Sequence, residues 1–136
     1  MKKVFVDTDI ILDLLSGRSP HNTHAEELFS LADEGTIKIM VSSLSFANVN
    51  YILSKQYNAD QARKRLLKFK TLVSVLPVND KIIELALASD FKDFEDAIQY
   101  NVAIENDIST LLTRNLKDFK KAQISVLSAE QYLKTI

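Results

Sequence analysis

The sequence contains no cysteine and no tryptophan, and only two glycines and two prolines. Without cysteine there is no disulfide, no thiolate zinc site and no thiol nucleophile, which suits a reducing cytoplasm. Gly17 and Gly35 are too few to build the Gly-rich phosphate loop of a dinucleotide-binding or P-loop protein. No apolar run approaches the roughly 18 residues of a membrane span, so no membrane association is expected. The opening Met1-Lys2-Lys3-Val4-Phe5-Val6 turns acidic at Asp7, too early for a secretory signal. The two histidines, His21 and His24, lie beside Pro20 and read as polar loop residues. Ser42, Ser43 and Ser45 have no histidine near them to activate a hydroxyl, which argues against a serine hydrolase. An excess of one sign of charge is also missing. Seventeen Lys+Arg stand against 18 Asp+Glu, a net charge of -1, without the basic total of many nucleic-acid binders.

What is present is a chain of 136 residues, 46% apolar and 26% charged. This is the size and composition of one globular domain over residues 1–136. Of the 18 acids, 11 are Asp, a poor helix and strand former that gathers at caps, turns and sites. Short apolar runs at Val4–Val6, Ile37–Val41, Ser109–Thr113 and Ile124–Leu127 read as strands. Leu72–Val78 contains Pro77 and reads as an edge strand or extended connection. Between them lie helical spacings: Ile10, Ile11, Leu14 and Leu15; Ala25, Leu28, Phe29 and Ala32, opened by a Thr23/Glu26 capping box and stopped by Gly35; Phe46, Val49, Ile52 and Leu53, capped by Ser45. Further helices begin at Asp60, at Asn79 or Asp80, at Asp93, and at a Ser128/Gln131 capping box. Strands alternating with helices predict an α/β sandwich with a mostly parallel sheet.

In an open parallel sheet, ligands bind beyond the carboxyl ends of the strands. Asp7-Thr8-Asp9 follows the first strand. Ser42 and Ser43, then Asn48, follow the second. Thr113-Arg114-Asn115 and Asp118 follow the strand at 109–112, and the helix feeding that strand starts Asp93-Phe94-Glu95-Asp96. Each acid has a plainer reading. Asp7, Asp9, Asp93 and Asp96 suit helix caps or first turns, Asp118 a turn, and Asp13 a solvated helix face. Their coincidence at edges that the fold brings together is the informative feature. Carboxylates without His or Cys suit a hard cation, Mg²⁺ or Mn²⁺, which can activate water and stabilise charge on a phosphodiester. Cations are concentrated too. Arg63, Lys64, Arg65, Lys68 and Lys70 fall within eight residues, and Lys117, Lys120 and Lys121 lie beside Asp118. They read as a solvated helix face or as a surface for a phosphate backbone.

The segments Val4-Phe5-Val6-Asp7-Thr8-Asp9-Ile10-Ile11-Leu12-Asp13-Leu14-Leu15, Asp93-Phe94-Glu95-Asp96-Ala97-Ile98-Gln99 and Leu112-Thr113-Arg114-Asn115-Leu116-Lys117-Asp118-Phe119 resemble PIN domains. The likeness is in particular to the small ribonuclease toxins of VapBC-type toxin–antitoxin modules. The resemblance implies a three-layer α/β/α fold, Mg²⁺- or Mn²⁺-dependent RNA cleavage, a cognate antitoxin protein and homodimerisation. The family's first acid falls on Asp7 and its late-helix acid on Asp96, with Asp93 close by. Two positions depart from it. Asn48 stands where many members carry Glu, and Asn115 where many carry Asp, with Asp118 one turn away. An amide ligates through oxygen but brings no charge, which weakens cation binding or limits the site to one ion.

The expected function is therefore a metal-dependent endoribonuclease in the cytoplasm. Asp7, Asp96 and Asp118 act at the cation, Asp93 completes the metal site, and Asn48, Asn115, Thr113 and Asp9 assist. Arg63, Lys64, Arg65, Lys68, Arg114 and Lys117 face RNA. Two alternatives stand beside it. One is a catalytically inactive PIN-fold module that binds RNA or protein, motivated by the two Asn residues. The other is a small-molecule phosphohydrolase using an Asp nucleophile, for which no matching downstream Lys motif is evident.

Overall fold

The computed structural model describes residues 2–136. Five strands form one all-parallel sheet: β1 (Lys2–Val6), β2 (Ile37–Ser42), β3 (Val73–Leu76), β4 (Thr110–Leu112) and β5 (Ser125–Leu127), in the order β3-β2-β1-β4-β5. Seven α-helices cover its faces: α1 (Thr8–Leu15), α2 (Asn22–Asp33), α3 (Ser43–Gln56), α4 (Ala59–Lys70), α5 (Asp80–Ala88), α6 (Phe94–Glu105) and α7 (Ala129–Leu133). A strand with both faces covered has no polar side, which is why the central strands read as unbroken apolar runs. Val4, Phe5 and Val6 are all fully buried. Successive side chains point to opposite faces. Val4 and Val6 join one core with α1, α2, α3, α4 and α7, while Phe5 joins the other with α5 and α6. Met40 and Leu111 follow Phe5, and Ile39, Val41 and Leu112 follow the valines. The result is the three-layer α/β/α sandwich.

Two junctions differ from the sequence reading. The chain is already helical in backbone geometry at His21, which makes no side-chain cap, so Thr23 falls inside the first turn of α2 and its capping box does not form. β2 runs straight into α3, and Ser42, not Ser45, caps that helix by accepting from the Ser45 N–H at 3.2 Å. That shift turns the Ser45 hydroxyl inward. Most of the other predicted punctuation is present. Asn79 and Asp93 cap α5 and α6, and Ser128 with Gln131 forms a capping box at α7, whereas α4, expected to begin at Asp60, begins at Ala59 with Asn58 as its cap. Gly35 takes the positive φ of +82° that terminates α2 at little steric cost. β3, followed by Pro77, is an edge strand.

Asp13 also departs from expectation. It is buried, with 2% exposure, and its carboxylate accepts from Arg114 Nε at 2.9 Å and Nη2 at 3.1 Å. This two-pronged ion pair ties α1 to the segment after β4. The two ends of the pair are not equivalent, because the Arg114 side chain retains 32% exposure and can recover water when its partner is lost. Breaking a buried pair is most costly when it strands the charge that cannot reach solvent. Arg114→Ala should therefore destabilise the protein more than Asp13→Ala, by about 3 against about 1–2 kcal/mol. Urea denaturation of both variants measures the order, and equal losses would contradict it.

Candidate metal-binding active site

The strand order reverses between β1 and β4, the switch point at which the carboxyl ends of parallel strands leave a crevice. Asp7 is the first residue beyond β1, and its N–H donates to Leu112 O at 2.9 Å. Thr113, the first beyond β4, therefore stands beside it. Its hydroxyl donates to Asp7 Oδ2 at 2.9 Å and accepts from the Asn115 N–H at 3.0 Å. Asp7 Oδ1 accepts from the Thr8 N–H at 2.8 Å, so the same carboxylate both caps α1 and faces the crevice. In the first turn of α1, Asp9 Oδ2 accepts from the Arg114 N–H at 3.1 Å. From the opposite side, Asp93 caps α6 by accepting from the Asp96 N–H at 3.0 Å. That bond sets Asp96 in the first turn, where the helix dipole favours an anion.

These elements enclose a cleft of about 200 Å³ lined by Asp7, Thr8, Asp9, Asp93, Glu95, Asp96, Gln99 and Asn115, with Leu12 at its wall. Burial is the main force on its acids. It pushes the Asp7 carboxyl up to about 7, helped by the Asp9 charge and opposed by the hydrogen bonds from Thr113 and Thr8. It pushes Asp96 up to about 7 as well, helped by Asp7, Asp93, Asp118 and Asp9 in that order. Asp9 is also raised, again chiefly by burial, with the Arg114 N–H holding it back. The cleft thus holds two acids, Asp7 and Asp96, that burial and mutual repulsion keep from full ionisation near neutral pH.

Of the residues expected at the site, Asp7, Asp9, Asp93, Asp96 and Asn115 line this one cleft, and Thr113 buttresses Asp7 from behind. Asp118 does not line it. It is exposed on a 3₁₀ turn (Leu116–Phe119), and only its charge reaches Asp96. Asn48 stands back from the lining and donates to Glu95 Oε2 at 3.4 Å. Lys117 is exposed on the same turn as Asp118, and the Arg114 guanidinium is engaged with Asp13. Arg63, Lys64, Arg65 and Lys68 occupy the outer face of α4, which contributes no lining residue. There Lys64 pairs with Asp60 at 3.1 Å, and Arg65 lies over the Tyr57 ring at 4.0 Å.

Three lining residues were not singled out by sequence: Thr8, Glu95 and Gln99. Gln99 carried the available signal, since it lies three residues after Asp96 and shares its helix face. Thr8, Ser45 and Gln99 form a buried polar knot beneath the cleft. Thr8 Oγ1 and Ser45 Oγ are 2.8 Å apart, and Gln99 Nε2 donates to Ser45 Oγ at 2.8 Å and to Thr8 Oγ1 at 3.2 Å.

The donor set fits a hard cation. Every polar lining group offers oxygen and none offers sulfur or imidazole, as Mg²⁺ and Mn²⁺ prefer. Asp9 Oδ1 and Gln99 Oε1, both on lining residues, are buried without hydrogen-bond partners. Among the described residues no three acidic or histidine groups are grouped closely enough to hold a metal by themselves. A cation here would draw on amide oxygens and water as well as carboxylates.

An all-parallel α/β sheet with carboxylates converging at its switch point defines a class, that of small α/β proteins with an acidic cleft. The sequence model of the PIN domain matches residues 3–117, and the chain belongs to that family. Among solved structures, it is similar to a toxin–antitoxin complex from Klebsiella pneumoniae, with 25% identity and a TM-score of 0.69 over 93% of this chain and 97% of that one. It is similar in fold to DNA-bound VapBC from Salmonella typhimurium, with 18% identity and a TM-score of 0.70 over 94% and 98%. It is also similar in fold to VapC20 from Mycobacterium tuberculosis, a Sarcin-Ricin loop cleaving toxin, with 20% identity and a TM-score of 0.64 over 79% and 86%. No curated protein matches the sequence. No helix among the described residues is long and apolar enough to cross a membrane.

The raised carboxyls make a prediction for stability. An unfolded Asp titrates near 3.9, whereas Asp7 and Asp96 in the fold titrate near 7. The native state therefore binds these protons more tightly than the unfolded chain. Their stabilising contribution is full below about pH 4 and is lost as pH rises through about 7. In chelator, the melting temperature of the parent should fall by several degrees more between pH 5 and pH 8 than that of the Asp7→Asn/Asp96→Asn double variant. Parallel profiles would contradict the assignment.

Proposed function

We propose that this chain is a divalent-cation-dependent endoribonuclease and the toxin of a toxin–antitoxin pair. The observation that carries the reading is the meeting of Asp7 and Asp96, from the ends of β1 and the start of α6, in one cleft where each titrates near neutrality. Structural collapse alone gives no reason to bury like charges, since each pays desolvation and repulsion. A bound cation removes both costs. Asp7 and Asp96, with Asp93 and the Asn115 amide, are the residues that would hold it. When bound, Mg²⁺ or Mn²⁺ would supply Lewis-acid stabilisation of charge developing on a phosphodiester.

The chain's own residues do the rest. The hydrogen bonds from Thr113 and the Thr8 N–H hold Asp7 in one orientation, which keeps its carboxylate preorganised for the reaction. The cationic face of α4 lies outside the cleft, where it suits the phosphates of a longer strand. RNA is favoured as substrate by similarity to a toxin that cleaves the Sarcin-Ricin loop. An antitoxin partner is favoured by the toxin–antitoxin complexes among the structural relatives.

The amides at 48 and 115 favour a second reading, a PIN-fold module that binds RNA without cutting it. Purified protein with single-stranded RNA and Mn²⁺ separates the two. Cleavage should occur, stop in EDTA, and fall by about two orders of magnitude or more in Asp7→Asn and in Asp96→Asn. RNA binding that persists in EDTA with no turnover under any metal would instead establish the binding module.

A further inference from the structure

Four buried side-chain polar atoms among the described residues have no hydrogen-bond partner: Asp9 Oδ1, Asn50 Oδ1, Gln99 Oε1 and Tyr132 Oη. Two of the four, Asp9 Oδ1 and Gln99 Oε1, belong to residues that line the acidic cleft. A buried acceptor left without a donor costs free energy, so native proteins rarely keep one without a use. Gln99 is the stronger case. It is 1% exposed, and its amide nitrogen is committed to Ser45 Oγ and Thr8 Oγ1. Those two bonds hold the side chain in place and leave its carbonyl oxygen unmatched.

The unmatched group is an acceptor, so its partner must be electropositive. The cleft already contains Asp7, Asp9, Asp93, Glu95 and Asp96, and burial and mutual repulsion raise Asp7 and Asp96. A further carboxylate would add to that repulsion, whereas a neutral amide oxygen adds a ligand without charge. The position at which the family resemblance implies a Glu is Asn48, which does not itself line the cleft and whose amide nitrogen donates to the lining residue Glu95 at 3.4 Å. Gln99, on the same face of α6 as Asp96, does line it.

We propose that Gln99 Oε1 is a neutral oxygen ligand of the cation in this cleft and takes the place of the acid that the chain lacks at Asn48. The inference rests on the reading of the cleft as a cation site. The Thr8–Ser45–Gln99 knot is then the device that presents the carbonyl, with Ser45 turned inward because Ser42 performs the capping of α3.

Calorimetric titration of Mn²⁺ into the full chain tests it, with the Mn²⁺-induced rise in melting temperature as a second readout. Gln99→Met keeps the side-chain length and removes the oxygen, and it should weaken Mn²⁺ binding about tenfold or more. Gln99→Glu should tighten binding, because ligand charge raises affinity for a hard cation and the Ser45 and Thr8 hydroxyls can turn to donate. Ser45→Ala removes the shorter bond that holds the Gln99 amide but spares the oxygen and the Thr8 bond, and should weaken Mn²⁺ binding by clearly less than Gln99→Met does. A folded Gln99→Met that binds Mn²⁺ as the parent does overturns the proposal, as does a Ser45→Ala loss equal to that of Gln99→Met. If Gln99→Met fails to fold, Gln99→Glu decides, with unchanged or weakened binding against the proposal. A parent that takes up no Mn²⁺ at millimolar concentration overturns the cation site itself, which is distinct from a parent that binds independently of residue 99.

Discussion

The hydrogen bond from Thr113 to Asp7 joins two residues 106 positions apart, and the site depends on it. It exists because β1 and β4 are neighbours in a parallel sheet, with Phe5 opposite Leu111 and Val6 opposite Leu112. Both strands end at the same level, so the first residue past each one meets the other. A slip of one residue would turn every side chain to the opposite face, exchanging Phe5 with the valines between two cores of different shape. The packing that holds the register therefore also holds the carboxylate. Hydrophobic burial on both faces of a short strand supplies the precision that the acidic site requires.

The second constraint is electrostatic. Several carboxylates meet in a small cleft where burial disfavours their charge. Local devices moderate this. Asp93 and Asp96 sit at the start of α6, where backbone N–H groups and the helix dipole favour anions. Asp9 accepts from the Arg114 N–H, and Arg114 is steadied by Asp13. The pair between Asp13 and Arg114 thus supports the cleft indirectly. It fixes the segment after β4, whose backbone neutralises part of the negative field. What these devices leave unrelieved is the raised affinity of Asp7 and Asp96 for protons, the residual that a cation would remove.

Much of the fold was legible because its signals are local. The apolar runs at Val4–Val6 and Ile37–Val41, the edge character announced by Pro77, and the caps at Asn79, Asp93 and Ser128 each lie within a few residues of the structure they specify. The misreadings share a different cause. Ser45 reads as a cap in isolation, but β2 leads into α3 without a loop and moves the cap to Ser42. Asp13 reads as solvated on an isolated helix, and its partner Arg114 lies 101 residues away. Thr23 with Glu26 matches a capping box, yet the chain enters α2 two residues earlier. Asp118 matches a site acid by spacing, and the 3₁₀ turn carries it to the surface.

The sequence by itself determined the alternation of strands and helices, the absence of thiols and glycine loops, and the acids and amides at strand ends, which offer oxygen donors there. These are properties of residue type and local period, which do not depend on what packs against what. Tertiary structure alone decided which acids converge, which cations are committed to partners, and which polar atoms are left buried and unmatched. Desolvation is a property of the assembled surroundings. Asp7 acquires its affinity for protons, and the Gln99 carbonyl its isolation, only when α1, α3 and α6 close over the end of the sheet.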